Sequence, residues 1–135
     1  MLKHSYKNYF DDDVLAASPL KLVELLYRGA LDAVADARRH LRQRDIRARS
    51  QAVSKAMAIV TQLSLSLDRA QGGDLSRRLE QIYGYVLRLL MKANAEQSEG
   101  PLLEAEKLLG TLREAWTNCE QNQRESAVYE SAECA

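Results

Sequence analysis

The stretch Ser18–Leu41, SPLKLVELLYRGALDAVADARRHL, decides the fold. Its apolar residues Val23, Leu26, Tyr27, Ala30, Val34, Ala37 and Leu41 recur at the helical period, which brings them to one side of an α-helix. Ser18 before Pro19 pairs a capping side chain with a residue whose fixed φ suits the first helical position. The spacing predicts a helix of about 25 residues, about 37 Å long. One apolar stripe on such a helix has to be buried against something, and the rest of the chain supplies the partners.

Downstream, Gln43-Arg44-Asp45 interrupts the pattern, and Asp45 is placed to cap a second helix. The stripe of that helix runs through Val53, Ala56, Met57, Val60, Leu63 and Leu67 and is expected to stop at Gly72-Gly73. Asp74 is expected to cap a third helix carrying Leu75, Leu79, Ile82, Val86, Leu89 and Ala93. Gly100-Pro101 restarts a fourth, expected to be shorter, with Ala105, Leu108, Leu109, Leu112 and Trp116. Connections of a few residues force neighbouring helices to run antiparallel. The expected fold is therefore all-α: an antiparallel up-down-up-down four-helix bundle over 18–119. A short N-terminal helical leader over 1–17 precedes it, and a polar tail over 120–135, mobile or at best a frayed extension of the last helix, comes after it.

Composition agrees and narrows the function. The chain has 135 residues, enough for one domain with a real core, and only 6 Gly and 2 Pro to break helices. Its 19 basic and 19 acidic side chains cancel, so no overall field draws it to nucleic acid or an anionic membrane. No apolar run reaches the length of a signal peptide or a membrane span, which points to a cytoplasmic protein without membrane insertion. Cys119 and Cys134 sit outside the apolar repeats and make no disulfide framework.

Catalysis finds no foothold. The only histidines are His4 and His40, and the residues three before them, Met1 and Ala37, are not the Glu that a di-iron bundle needs. The cysteines lack zinc-site spacing, Gly72-Gly73 is not followed by a phosphate-loop Lys, and no Ser lies in a nucleophile elbow. No metal, no cofactor and no enzyme activity is expected.

Three features remain. Tyr6, Tyr9 and Phe10 share one side of a short leader helix. It is either a clasp that completes the core or a displaceable cover over a groove. Tyr83, Leu87 and Leu90 on the third helix, with Leu22, Leu25 and Leu31 on the first, widen the apolar surface. That surplus suits either a core stripe packed on three neighbours or a groove for an amphipathic partner helix. Arg38, Arg39, Arg42, Arg44, Arg47 and Arg49 straddle the first turn. Cations at a helix C-terminus explain the first of these, and without aromatic residues nearby nucleic-acid binding is not expected.

The motifs, taken in register, resemble a family. Tyr6-Lys7-Asn8-Tyr9, Ala17-Ser18-Pro19-Leu20-Lys21-Leu22, Leu26-Tyr27-Arg28-Gly29-Ala30-Leu31, Gly72-Gly73-Asp74-Leu75, Ile82-Tyr83-Gly84-Tyr85-Val86 and Leu112-Arg113-Glu114-Ala115-Trp116 resemble those of the flagellin-specific export chaperones of the FliS type. The likeness spans about residues 5–116 in order, and Arg28 departs from it where the family usually carries an acid. The resemblance implies a cytosolic protein of a flagellated bacterium. It would hold the C-terminal segment of flagellin, prevent premature polymerisation and deliver the client to type III export. Candidate partner-binding residues are Tyr6, Tyr9, Phe10, Leu22, Tyr27, Tyr83, Leu87 and Leu90. A component of the export gate is a second candidate partner, and the expected state is a monomer or weak homodimer. The competing expectation is a self-associating structural bundle with no flagellin client.

Overall fold

The computed structural model describes residues 19–67 and 72–133. They form four helices, α1 (Pro19–Arg42), α2 (Ile46–Leu65), α3 (Gly73–Glu96) and α4 (Gly100–Glu133), with no strand among the described residues. Each helix packs on its neighbours in the chain, and α4 closes the ring against α1. Contacts along the seams fix the directions. The C-terminal part of α1 meets the start of α4 through Arg38 and Glu106, and the start of α2 meets the end of α3 through Arg49 and Asn94. This is the antiparallel four-helix bundle that the stripes predict.

The stripes are the core. Ala30, Val34 and Ala37 of α1, Ala56 and Val60 of α2, Val86 of α3, and Ala105 and Leu109 of α4 are completely buried. Alanine at so many inner positions leaves little side chain between the axes, so the helices approach closely. Each buried Leu or Val contributes about 1.5–3 kcal/mol relative to an exposed one, and this offsets the ordering of the chain.

The helix ends obey local chemistry, in two places against the expected signals. The Asp45 carboxylate accepts a hydrogen bond from the Ala48 N–H at 3.1 Å and caps α2. The helix α1 stops without a glycine. Arg44 takes a left-handed conformation at φ 58, while the N–H of Asp45 reaches the carbonyl of His40 and that of Arg44 reaches Leu41. This is a Schellman closure. Gln97 repeats it after α3, at φ 52, with the Ser98 N–H on the Ala93 carbonyl. At the other end of the bundle α2 stops at Leu65, short of the expected glycine stop. Gly73, at φ 53, makes the entry to α3, a conformation that favours glycine. Asp74 therefore lies inside the first turn of α3 and pairs with Arg77 at 3.0 Å instead of capping.

The largest departure is α4. Expected to be the shortest helix, it is the longest at 34 residues and runs through the predicted tail as far as Glu133. Nothing between Trp116 and Glu133 breaks a helix: the segment has no Gly or Pro and is rich in Glu, Gln, Ala and Arg.

Candidate client-binding surface

Tyr27 and Tyr83, both expected at a groove, meet in the middle of the bundle. Their hydroxyls lie 2.5 Å apart, and the side chains are 3% and 2% exposed. The pair spans the diagonal from α1 to α3, which share no extensive seam. Burial pushes both phenols above the usual tyrosine range, so both stay neutral and one donates to the other. Leu90 is fully buried beside the same core. Leu22 and Leu87 are half-buried and pack against the core from its edge. Of the candidates within the described residues, then, two stand at the rim and three are interior. Tyr6, Tyr9 and Phe10 lie outside the described residues.

Where the apolar surface does reach solvent is set by the seam between α2 and α3. Arg49, only 5% exposed, donates from Nε to Asn94 Oδ1 at 3.0 Å and from Nη2 to the Asn94 carbonyl at 3.3 Å. The Ser50 hydroxyl donates to the same Oδ1 at 3.2 Å. Asn94 therefore marks the side of α3 that faces α2. One and two turns back from it on the same side stand Met91 and Leu87, at helical spacing. The matching stripe on α2 is Ser50, Ser54, Met57 and Thr61. Met91 is 58% exposed, as is Ile46 at the start of α2, and Met57 is half-buried. In addition α2 holds no Asp or Glu in its 20 residues, so nothing acidic borders this surface from that helix. Two methionines, an isoleucine and small hydroxyl residues make a surface that can adapt to an apolar partner helix.

The seam between α1 and α4 is built differently. Arg38 donates to Glu106 at 2.9 Å and to Glu99 at 3.3 Å, and Arg42 holds Glu99 at 2.6 Å. The bond from Arg42 lowers the Glu99 carboxyl below the usual range, and the bond to Glu106 raises the Arg38 guanidinium. Farther along, Glu24 takes Lys21 at 2.8 Å and Arg28 at 3.2 Å, with Arg113 of α4 at 3.8 Å. Four of the clustered arginines are thus accounted for by structure: Arg38 and Arg42 clamp α4, Arg39 pairs with Asp36, and Arg49 is buried on Asn94. Arg28, the departure from the family pattern, sits on Glu24.

Among the described residues no group of three or more His, Cys, Asp or Glu side chains comes together to hold a metal ion. No helix among the described residues is long and apolar enough to cross a membrane. The surface offers binding chemistry, set on rigid helices. The family model described as Flagellar protein FliS matches residues 2–123.

The chain belongs to the FliS family. It is similar to the flagellar secretion chaperone FliS of Salmonella typhimurium, 38% identical over 104 residues that cover 76% of this chain and 77% of that one. The FliS of Campylobacter jejuni is 33% identical over 119 residues, covering 88% and 93%, and that of Bacillus subtilis is 28% identical over 123 residues, covering 91% of each. FliS is a family of chaperones and not of enzymes. The FliS motifs quoted from the sequence contribute largely to the core: Leu26, Tyr27, Ala30, Tyr83 and Val86 are all buried. Ile46 and Met91, which sequence reading passed over, and Met57, which it placed in the core stripe of the second helix, belong to none of those motifs. Met91 was within reach, one turn beyond Leu87 on the same side.

Proposed function

We propose that this chain is a flagellar secretion chaperone that holds the C-terminal segment of flagellin in the cytosol, keeps it from polymerising and hands it to type III export. Membership of the FliS family carries this reading, because its relatives bear the name flagellar secretion chaperone. The physical counterpart is the seam between α2 and α3, where Leu87 and Met91 line one side and Met57 the other, with Ile46 at its end. A client segment that is disordered alone and helical when bound would lay its apolar side there. Tyr6, Tyr9 and Phe10 remain the proposed cover, and Leu22 a rim contact. Tyr27, Tyr83 and Leu90 support the groove from beneath.

Isothermal titration with a flagellin C-terminal peptide of about 40 residues, several helical turns long, tests this. One-to-one binding with a large negative heat-capacity change is expected, the sign of coupled folding on apolar surface. Met91→Glu combined with Ile46→Glu should weaken binding by about tenfold or more, about 1.4 kcal/mol, while leaving the melting temperature nearly unchanged. Unaltered affinity in that variant would move the client away from this seam. No binding to the wild-type chain at tens of micromolar would reject flagellin as the client.

A further inference from the structure

The two edges of α3 treat charge differently. Toward α2, Asn94 takes the buried guanidinium of Arg49. On the opposite edge Arg78, Gln81, Tyr85, Arg88 and Lys92 recur at the helical period and form one row about 21 Å long, every member of it exposed. The Tyr85 hydroxyl donates to the Glu104 carboxylate of α4, so the row borders the seam between α3 and α4.

A cleft of about 460 Å³ opens in that seam, lined by Tyr85, Arg88, Leu89, Lys92, Pro101 and Glu104 among others. Leu89, buried, and Pro101, half-buried, give it an apolar floor. Lys107, exposed, stands one turn beyond Glu104 on the α4 side. The guanidinium of Arg88 lies over the Tyr85 ring, 5.9 Å from its centre. Stacking of this kind holds a guanidinium in place and leaves its N–H fork free for a carboxylate.

The cations of this groove are unmatched. Along the seam between α1 and α4, Arg38 and Arg42 hold Glu106 and Glu99 within the chain. Arg78, Arg88, Lys92 and Lys107 pair with no carboxylate among the described residues. Beside them, Glu104 is engaged by the Tyr85 hydroxyl, and Glu96 lies beyond Lys92 at the end of the row. A chain whose charges cancel overall thus carries a local cationic groove. A flat anionic membrane would meet only its rims, whereas a helix fills the space between two others. A helix with carboxylates at the same period sets them against this row and lays an apolar flank on Leu89 and Pro101.

We infer that the groove between α3 and α4 is a docking site for an acidic amphipathic helix of a partner protein other than the client. Its carboxylates meet Arg78, Arg88, Lys92 and Lys107, and its apolar flank covers Leu89 and Pro101. The groove lies on the edge of α3 away from α2, so it stays open while a client lies on the α2–α3 seam. The inference does not depend on the identity of that client.

An NMR titration of the nitrogen-15-labelled full chain tests it. The probe is a synthetic peptide of about 21 residues that repeats Glu-Ala-Ala-Glu-Leu-Ala-Ala, long enough as a helix to span the row. Versions with Gln or Lys in place of every Glu serve as controls. The expected result is saturable one-to-one binding that shifts the amides of 78–92 and 102–107 and leaves those of 50–61 in α2 unmoved. Affinity should fall at least about tenfold between about 0.05 M and 0.5 M salt, and by as much for the Gln peptide. Arg88→Glu with Lys92→Glu, checked for folding by circular dichroism, should lose the Glu peptide and take the Lys peptide. A saturating flagellin C-terminal peptide should leave binding of the Glu peptide unchanged. Failure of the flagellin peptide to bind would reject that client without touching this result. No saturating shift up to about 1 mM peptide overturns the inference. So do shifts centred on α2, equal affinity for the Gln peptide, or displacement by the flagellin peptide. Sedimentation with vesicles of about 30% phosphatidylserine is the remaining arm. Wild-type binding there that the charge reversal abolishes, with no binding of the Glu peptide, assigns the row to a membrane and overturns the inference as well.

Discussion

The two long seams of this bundle are joined by opposite means. Between α1 and α4 the helices are tied at the surface by charge, with Arg38 and Arg42 holding Glu99 and Glu106. Between α2 and α3 the cation Arg49 is inside, on an amide and a carbonyl, and the outside is methionine and small hydroxyl residues. Surface ion pairs add little stability, but they fix register and leave a polar exterior that repels an apolar partner. A seam closed from within and greasy outside keeps its register and remains attractive to such a partner. One protein therefore has one seam with a charged exterior and one with an apolar exterior.

Breaking the shared interior should have the largest effect. Leu90→Ala removes a fully buried side chain and should cost about 2–5 kcal/mol in urea denaturation. A loss near zero, with lost client affinity, would return Leu90 to the surface. Next comes the inner tie of the α2–α3 seam. Arg49→Ala removes two hydrogen bonds from the half-buried Asn94, whose Oδ1 keeps only the Ser50 hydroxyl, and should cost about 1–3 kcal/mol, read the same way. If it costs less than the loss of Arg42, the contrast between the seams is wrong. Smaller again is Arg44→Gly, expected to add about 0.5–1 kcal/mol by relieving a left-handed arginine at the turn.

The surface clamp should give the smallest effect, and a pH-dependent one. Because Arg42 lowers the Glu99 carboxyl in the folded state, the unfolded chain binds a proton there at higher pH than the native one. The stabilisation is present above the ordinary glutamate value of 4.5 and fades as pH falls through the lowered native value. Glu99→Gln should slightly lower the melting temperature at pH 7, and the difference from wild type should vanish in acid. A difference that persists at low pH would mean that Glu99 acts through packing and not charge.

Most of the fold was legible because the apolar period is local and its stop signals are chemical. Val34, Ala56, Val60, Val86 and Leu109, all picked from spacing, are buried. The misses have physical reasons. Tyr83 and Leu90 fall within the same broad arc as Val86. One-dimensional spacing cannot tell a stripe that reaches two neighbours from one that also reaches across the diagonal to Tyr27. The reach of α4 was hidden because a polar helix has no stripe to announce it. The turns at Arg44 and Gln97 lack the glycine that usually marks them. The methionines of the α2–α3 seam look like core residues in any window.

The Tyr27–Tyr83 contact has a consequence for how this chain can change. Either tyrosine replaced alone by phenylalanine leaves the other hydroxyl buried without its partner. Replacement of both removes the polar demand and keeps the ring volume. Two positions on different helices are thus coupled as a single site of variation, and a library that randomises them independently would lose most of its viable members at one step while the double change survives.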